Sequence, residues 1–121
     1  MQDKVFVYGS LMRGCHNNPI LLGSECLGEY ILEAPLRMVS LNVIPGLIAA
    51  DDGVIRRTYG ELYVVEKEIV ERLDRLEGHP DFYRRTRFGD MWVYVLSRRW
   101  GRVRPYIHPA DGIQRWRPPH A

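Results

Sequence analysis

The alternation of apolar and polar positions divides the chain into several short extended segments and one longer helical one. The first segment, Val5-Phe6-Val7-Tyr8, is apolar, β-branched and aromatic and stops at Gly9. It predicts a buried strand that delivers the chain into a tight turn. Gly14, Asn17, Asn18 and Pro19 mark the loop beyond it. Pro19-Ile20-Leu21-Leu22 can open a brief helical turn, because proline is tolerated at a first helical position. Residues 28–41 have strand-like composition interrupted by Pro35, which predicts a bulge or an edge position. The pattern breaks again at Pro45-Gly46, and Asp51-Asp52-Gly53 signals a turn. Residues 58–65, TYGELYVV, form the next predicted strand, and Gly60 inside it predicts a close backbone approach or a local bend.

The period then changes. Over residues 66–77, EKEIVERLDRLE, the apolar Ile69, Val70, Leu73 and Leu76 recur at helical spacing among charges, so an amphipathic helix is predicted. Gly78-His79-Pro80 ends it, since glycine suits the position past a helix end and proline cannot continue the helix. Residues 82–88 and 91–97, joined by Gly89-Asp90, read as a β-hairpin. From about residue 98 the chain is rich in arginine, tryptophan and proline with little periodicity, and a tail that packs across the domain or stays partly mobile is expected. Many short strands with one substantial helix predict an α+β fold: a small mixed, mainly antiparallel β-barrel or curved sheet with one main flanking helix.

A chain of 121 residues is long enough for one core and too short for two, so a single domain over residues 1–121 is expected. Hydrophobic residues at 45% and charged residues at 26% are ordinary globular values, and no apolar run reaches the length of a membrane span. Met1-Gln2-Asp3-Lys4 leads straight into the first strand, leaving no room for a signal peptide, so a soluble cytoplasmic protein without a membrane partner is expected. Cys15 and Cys26 are too few for a disulfide framework and are expected to be reduced. Cys15-His16 has no partner spacing that would make a metal or nucleophile pair, and reads as loop.

The net charge of +2 hides a division: residues 1–81 hold 8 basic and 13 acidic side chains, residues 82–121 hold 9 and 2. In the basic third, Arg98-Arg99-Trp100, Arg102, Arg104, Tyr106 and Arg115-Trp116-Arg117 interleave cations with aromatics. Such a pattern can track a phosphate backbone and stack bases, which makes a nucleic-acid-binding module a rival reading. Against it stand the acidic first two-thirds, the irregular spacing and the absence of a nucleic-acid-binding motif. A solvated tail covering the core is the commoner outcome.

Glu77 carries the sharpest chemical signal. It lies four residues after Leu73 and seven after Val70, so a helix places this carboxyl on the apolar stripe. Burial and the negative end of the helix dipole both disfavour the ionised form, and a raised pKa suits a general acid/base working near neutrality. The alternative is a helix frayed by Gly78, with Glu77 at the surface or paired with an arginine. Tyr8-Gly9-Ser10-Leu11 is the second candidate, a strand running into a glycine turn whose N–H groups can converge on an anion or oxyanion. As a nucleophile Ser10 has neither a GxSxG elbow nor a histidine placed as its base. His16, His79, His108 and His120 fall in loops or the tail without partner spacing and read as exposed or structural.

Taken together, VFVYGSLMRG near the start, the Pro45-Gly46 pair, GELYVV at 60–65 and LDRLEGHPDFYRR at 73–85 resemble the gamma-glutamylcyclotransferase-like family, of the gamma-glutamylamine cyclotransferase type. The resemblance runs roughly over residues 5–95. It implies a small barrel flanked by helices, with Tyr8, Gly9, Ser10 and Leu11 binding the gamma-glutamyl part of a small-molecule substrate and Glu77 as the acid/base. Tyr83 matches the tyrosine of the second block, where it would line the pocket or hydrogen-bond to Glu77; equally it reads as a hairpin core residue. Arg85 falls at the block's arginine position, or pairs with acids on the helix. The implied reaction is an intramolecular aminolysis that releases 5-oxoproline and a free amine and calls on no metal or organic cofactor. A non-catalytic small-molecule binder or interaction domain on the same fold is the alternative.

Overall fold

The computed structural model describes residues 2–41, 44–97, 104–105 and 111–116. Strand β1 (Gln2–Val7) is followed by a 3-10 turn over Asn18–Leu21, with Pro19 in its first positions as its fixed φ favours. Then come β2 (Glu25–Ala34), β3 (Leu36–Leu41), β4 (Ile44–Ala49), β5 (Arg56–Glu66), helix α1 (Lys67–Glu77), β6 (Tyr83–Phe88) and β7 (Met91–Leu96). Two short strands, β8 (Arg104–Pro105) and β9 (Ile113–Gln114), follow.

One sheet runs in the order β2-β5-β1-β7-β6, with β9 pairing on β5, and a second runs β4-β3-β8. Most pairs are antiparallel; β1 runs parallel to β7 and β5 parallel to β9. The fold is thus α+β and mainly antiparallel as expected, and among the described residues the pairings leave the sheets open rather than closed into a ring. The closest thing to closure is the packing of β4 across β7, where Gly46 lets Leu96 approach so nearly that a Cβ would sit 2.9 Å from it.

Pro35 separates β2 from β3, and the bulge lies at Cys26/Gly28 instead. The break in pattern at Pro45-Gly46 does not interrupt the secondary structure. It lies inside β4, an edge strand, where a proline's missing N–H costs no ladder bond. The turn at Asp51-Asp52-Gly53 forms as read, with Asp52 Oδ1 accepting from Val54 N at 3.0 Å and Gly53 at φ +70°. Gly60 does mark a close approach, for a Cβ there would stand 2.3 Å from the Val7 carbonyl oxygen.

Helix α1 buries Val70 and Leu73 against the sheet, each side chain worth about 1.5–3 kcal/mol out of water. Its end is a Schellman motif: Gly78 sits at φ +65° and ψ +36°, Gly78 N donates to Arg75 O at 3.3 Å, and His79 N donates to Asp74 O at 2.9 Å. The predicted hairpin of β6 and β7 forms around Gly89 at φ +60°.

The basic C-terminal segment is described only in part. Arg98, Arg99, Trp100, Arg102, Tyr106 and Arg117 lie outside the described residues, as do His108 and His120. What is described packs across the domain: Trp116 is buried, and Gln114 is almost fully enclosed between the sheets. Gln114 Oε1 accepts from Met38 N at 2.8 Å, while its Nε2 donates to Leu36 O at 3.2 Å and Thr58 Oγ1 at 2.9 Å. Among the described residues no helix is long and apolar enough to cross a membrane.

Candidate functional site

A cleft of about 270 Å³ opens where the C-terminal end of β1 meets the C-terminal end of α1. All six residues singled out from the sequence line it: Tyr8, Gly9, Ser10 and Leu11 on one side, Glu77 and Tyr83 on the other. They come from three separate elements. β1 ends between β5 and β7, so the turn leaving it stands at the sheet's rim, and the Schellman turn carries the chain from α1 back toward β6 past the same rim.

Glu77 is the last residue of α1 and is half-buried. Burial raises its carboxyl from an ordinary value of 4.5 to about 7. The helix runs through Glu77 instead of fraying before it, and among the described residues no cation pairs with it. Desolvation without a compensating charge is what keeps this acid poised between its two protonation states near neutrality.

Tyr8 does structural duty with its hydroxyl. It donates to Tyr94 O at 2.6 Å and accepts from Leu47 N at 3.2 Å, tying β4 and β7 to the end of β1. Burial holds the phenol well above its ordinary pKa, so it remains a donor. The Tyr83 hydroxyl donates to the Pro45 carbonyl rather than to Glu77, and its ring stacks on Phe82 at 5.1 Å. Tyr83 therefore lines the cleft and belongs to the core at once; the two sequence readings of this residue merge. Gly9 admits Pro45, whose Cγ would be 2.9 Å from a Cβ at that position.

The loop is held from behind. Met12 N donates to Gly9 O at 3.0 Å, Asn17 N to Ser10 O at 3.1 Å, and Asn17 Nδ2 to Ser10 Oγ at 2.8 Å. The N–H groups of Ser10 and Leu11 donate to no partner among the described residues. The Ser10 hydroxyl meets Asn17, and among the described residues no histidine lines the cleft, which fits the sequence argument against a serine nucleophile. His16 is exposed, and His79 Nδ1 accepts from Arg85 N at 3.0 Å.

Sequence reasoning missed the group that fixes this loop. Glu61, nearly fully buried, accepts from Arg13 N at 2.8 Å and Tyr63 hydroxyl at 3.1 Å, and pairs with Arg13 Nε at 3.3 Å. Asn18 Nδ2 completes the brace, donating to Leu11 O at 2.9 Å and to Tyr63 hydroxyl at 3.1 Å. The available signal was a carboxylate set in the apolar run GELYVV, directly opposite Val7 in the β1–β5 register. Asp74 was missed as well: it accepts from Tyr94 hydroxyl at 2.6 Å and pairs with Arg85 at 3.1 Å, so Arg85 is a helix-pairing arginine. Cys15 and Cys26 form no disulfide, and Cys26 lies within β2. Burial, with Glu61 nearby, pushes the Cys15 thiol above its ordinary pKa, which leaves it a poor nucleophile. Among the described residues no three His, Cys, Asp or Glu side chains gather as a metal site.

A family model described as "Gamma-glutamyl cyclotransferase, AIG2-like" matches residues 5–115. A Vibrio cholerae protein named "Putative gamma-glutamylcyclotransferase" is 34% identical over 119 residues, covering 95% of this chain and 99% of its own. A zebrafish (Danio rerio) protein named gamma-glutamylaminecyclotransferase C is 38% identical over 89 residues, 68% of this chain and 58% of that one. The crystal structure of an AIG2-like protein from Mus musculus superposes with a TM-score of 0.64 over 99% of this chain and 98% of that one, at 24% identity, which speaks to the fold.

Proposed function

Since the chain belongs to the gamma-glutamyl cyclotransferase, AIG2-like family, we propose that it is a single-domain cytoplasmic enzyme releasing 5-oxoproline and a free amine from a gamma-glutamyl substrate. Glu77 takes a proton from the substrate's α-ammonium, and the freed nitrogen attacks the γ-carbonyl of the same glutamyl unit. The new C–N bond closes a five-membered lactam. As the tetrahedral intermediate collapses, the original C–N bond breaks and Glu77 returns the proton to the departing amine, taking up in turn the second proton that the lactam nitrogen sheds and passing it to the released amine or to water. The N–H groups of the turn at residues 8–11 stabilise the oxyanion, a contribution of roughly 10²–10³ in rate per donor in comparable sites. Nucleophile and electrophile sit on one residue, so the entropic cost of bringing them together is largely removed by the substrate itself. This chemistry draws on no metal or organic cofactor.

The observation that supports this reading best is a half-buried carboxyl, raised to about 7 and forming no ion pair among the described residues, facing the same cleft as a turn in which two N–H groups donate to no described residue. The test is a panel of gamma-glutamyl compounds scored for 5-oxoproline release, with Glu77→Gln alongside. Release by the native protein with a loss of about 10²–10⁴ in kcat for Glu77→Gln is expected. Full activity in Glu77→Gln would refute the assignment of the proton-transfer group; no turnover of any compound would favour a non-catalytic binder.

A further inference from the structure

We infer that Glu61, outside the cleft, is a positioning residue for the proposed reaction: it sets the direction in which the Ser10 and Leu11 N–H groups face. This rests on the cyclotransferase reading, in which those groups meet the oxyanion, and adds to it the residue that aims them.

The direction of an N–H group is tied to the carbonyl that precedes it, because in a planar trans peptide the two point opposite ways. Gly9 O accepts from Met12 N at 3.0 Å, Ser10 O from Asn17 N at 3.1 Å and Leu11 O from Asn18 Nδ2 at 2.9 Å. Three successive carbonyls are thus drawn into the loop body at residues 12–18. The N–H groups of Ser10 and Leu11 share peptides with the first two of them and so face away from that body, and both residues line the cleft. Where those N–H groups aim therefore depends on where the loop body is held.

Hydrogen bonds hold it to the sheet at one place. Cys15 N donates to Met12 O and Asn18 N to Cys15 O, each at 3.1 Å, which shapes the loop without attaching it. Among the described residues, every hydrogen bond from residues 12–18 to a strand ends on Glu61 or on the Tyr63 hydroxyl, which itself donates to Glu61. Two arms result. In the direct one, Arg13 N donates to Glu61 Oε1 at 2.8 Å and Arg13 Nε to Oε2 at 3.3 Å. In the relayed one, Asn18 Nδ2 donates to the Tyr63 hydroxyl and that hydroxyl to Glu61 Oε1, both at 3.1 Å, while the same Asn18 amide holds Leu11 O. Glu61 stands opposite Val7, the last residue of β1, so the anchor lies where the strand gives way to the turn.

The arrangement calls for a carboxylate. Three donors converge on a residue only 5% exposed, and a carboxylate meets all of them while offering no donor of its own. An amide keeps both Oε1 bonds and loses the one to Arg13 Nε, whereas an aliphatic side chain loses all three and leaves Arg13 N and the Tyr63 hydroxyl without their acceptor.

The experiment measures kcat and KM for 5-oxoproline release from gamma-glutamylglycine or gamma-glutamyl n-butylamide, whichever the native protein cleaves faster. Misaiming donors that act on the transition state should lower kcat by about tenfold to a hundredfold in Glu61→Leu, with KM moving less. Glu61→Gln, with both Oε1 bonds kept, should recover all but a few-fold of that loss. Asn18→Ala cuts the relayed arm and should lower kcat less than Glu61→Leu does; added to Glu61→Leu it should cost little more, since both act on one turn. Tyr63→Phe removes only the hydroxyl between the two and decides the matter should Glu61→Leu not fold by circular dichroism: its kcat should drop by about threefold or more. Native kcat in folded Glu61→Leu or in Tyr63→Phe, a Glu61→Gln as impaired as Glu61→Leu, or losses that multiply in the double variant overturn the inference and leave the cyclotransferase reading standing. Failure of the native protein to release 5-oxoproline from either conjugate overturns both.

Discussion

A carboxyl raised from 4.5 to about 7 makes Glu77 a reporter on both activity and stability. The proposed base must be ionised to accept a proton, so kcat/KM should rise through an ionisation near pH 7, and a pH–rate profile on any active substrate checks this. For stability the sign runs the other way. Between about pH 4.5 and 7 the folded chain holds a proton that the unfolded chain has lost, so burial of this group is tolerated at low pH and becomes costly as pH rises through that window. Glu77→Gln should therefore unfold at higher urea than the native protein at pH 8, by up to ~3 kcal/mol, and at nearly the same urea at pH 4. Gly60 answers to simpler physics. A methyl group there would meet the Val7 carbonyl oxygen at 2.3 Å and the Phe6 ring at 2.6 Å, and a backbone oxygen cannot rotate aside. Gly60→Ala should cost at least about 1–3 kcal/mol in a denaturant titration.

At the scale of the element, what matters is how α1 stops. The Schellman turn consumes the Arg75 and Asp74 carbonyls, turns the chain at Gly78 and so fixes where Glu77, one residue earlier, points. Gly78→Ala must hold a side chain in the left-handed region, with its Cβ 3.0 Å from that of Phe82. A loss of about 1–2 kcal/mol in stability is expected. If the turn also positions the acid, kcat should drop more than KM rises, a split that steady-state kinetics on the purified variant reads directly. The Glu61 brace does the same for the other side of the cleft, fixing residues 11–18 from a strand instead of a helix end.

For the molecule as a whole, Gln114 joins the two sheets. One side chain satisfies Met38 N and Leu36 O on β3 and Thr58 Oγ1 on β5. Gln114→Leu keeps the volume roughly constant but leaves buried polar groups on both sheets unpaired, which should cost about 2–4 kcal/mol in equilibrium unfolding. The sequence alone sufficed for β1, the helix with its glycine stop, the β6–β7 hairpin and the turn at residues 51–53, because these follow from period, φ preference and missing N–H groups within a few residues. It also named Glu77, since a carboxyl on an apolar helical stripe is a local pattern. It marked Pro45-Gly46 only as a break in pattern, and the pairing with β3 shows that the proline stands on an edge strand. It did not reveal the roles of Glu61, Asp74 and Gln114, whose hydrogen bonds with Arg13, Tyr94, Met38 and Leu36 span 20 to 78 residues of sequence. Nor did it foresee that Leu76, on the inward stripe, would stand exposed at the cleft mouth. Periodicity fixes which face of an element turns inward, whereas what that face meets depends on elements distant in the chain, and only the tertiary structure decides it.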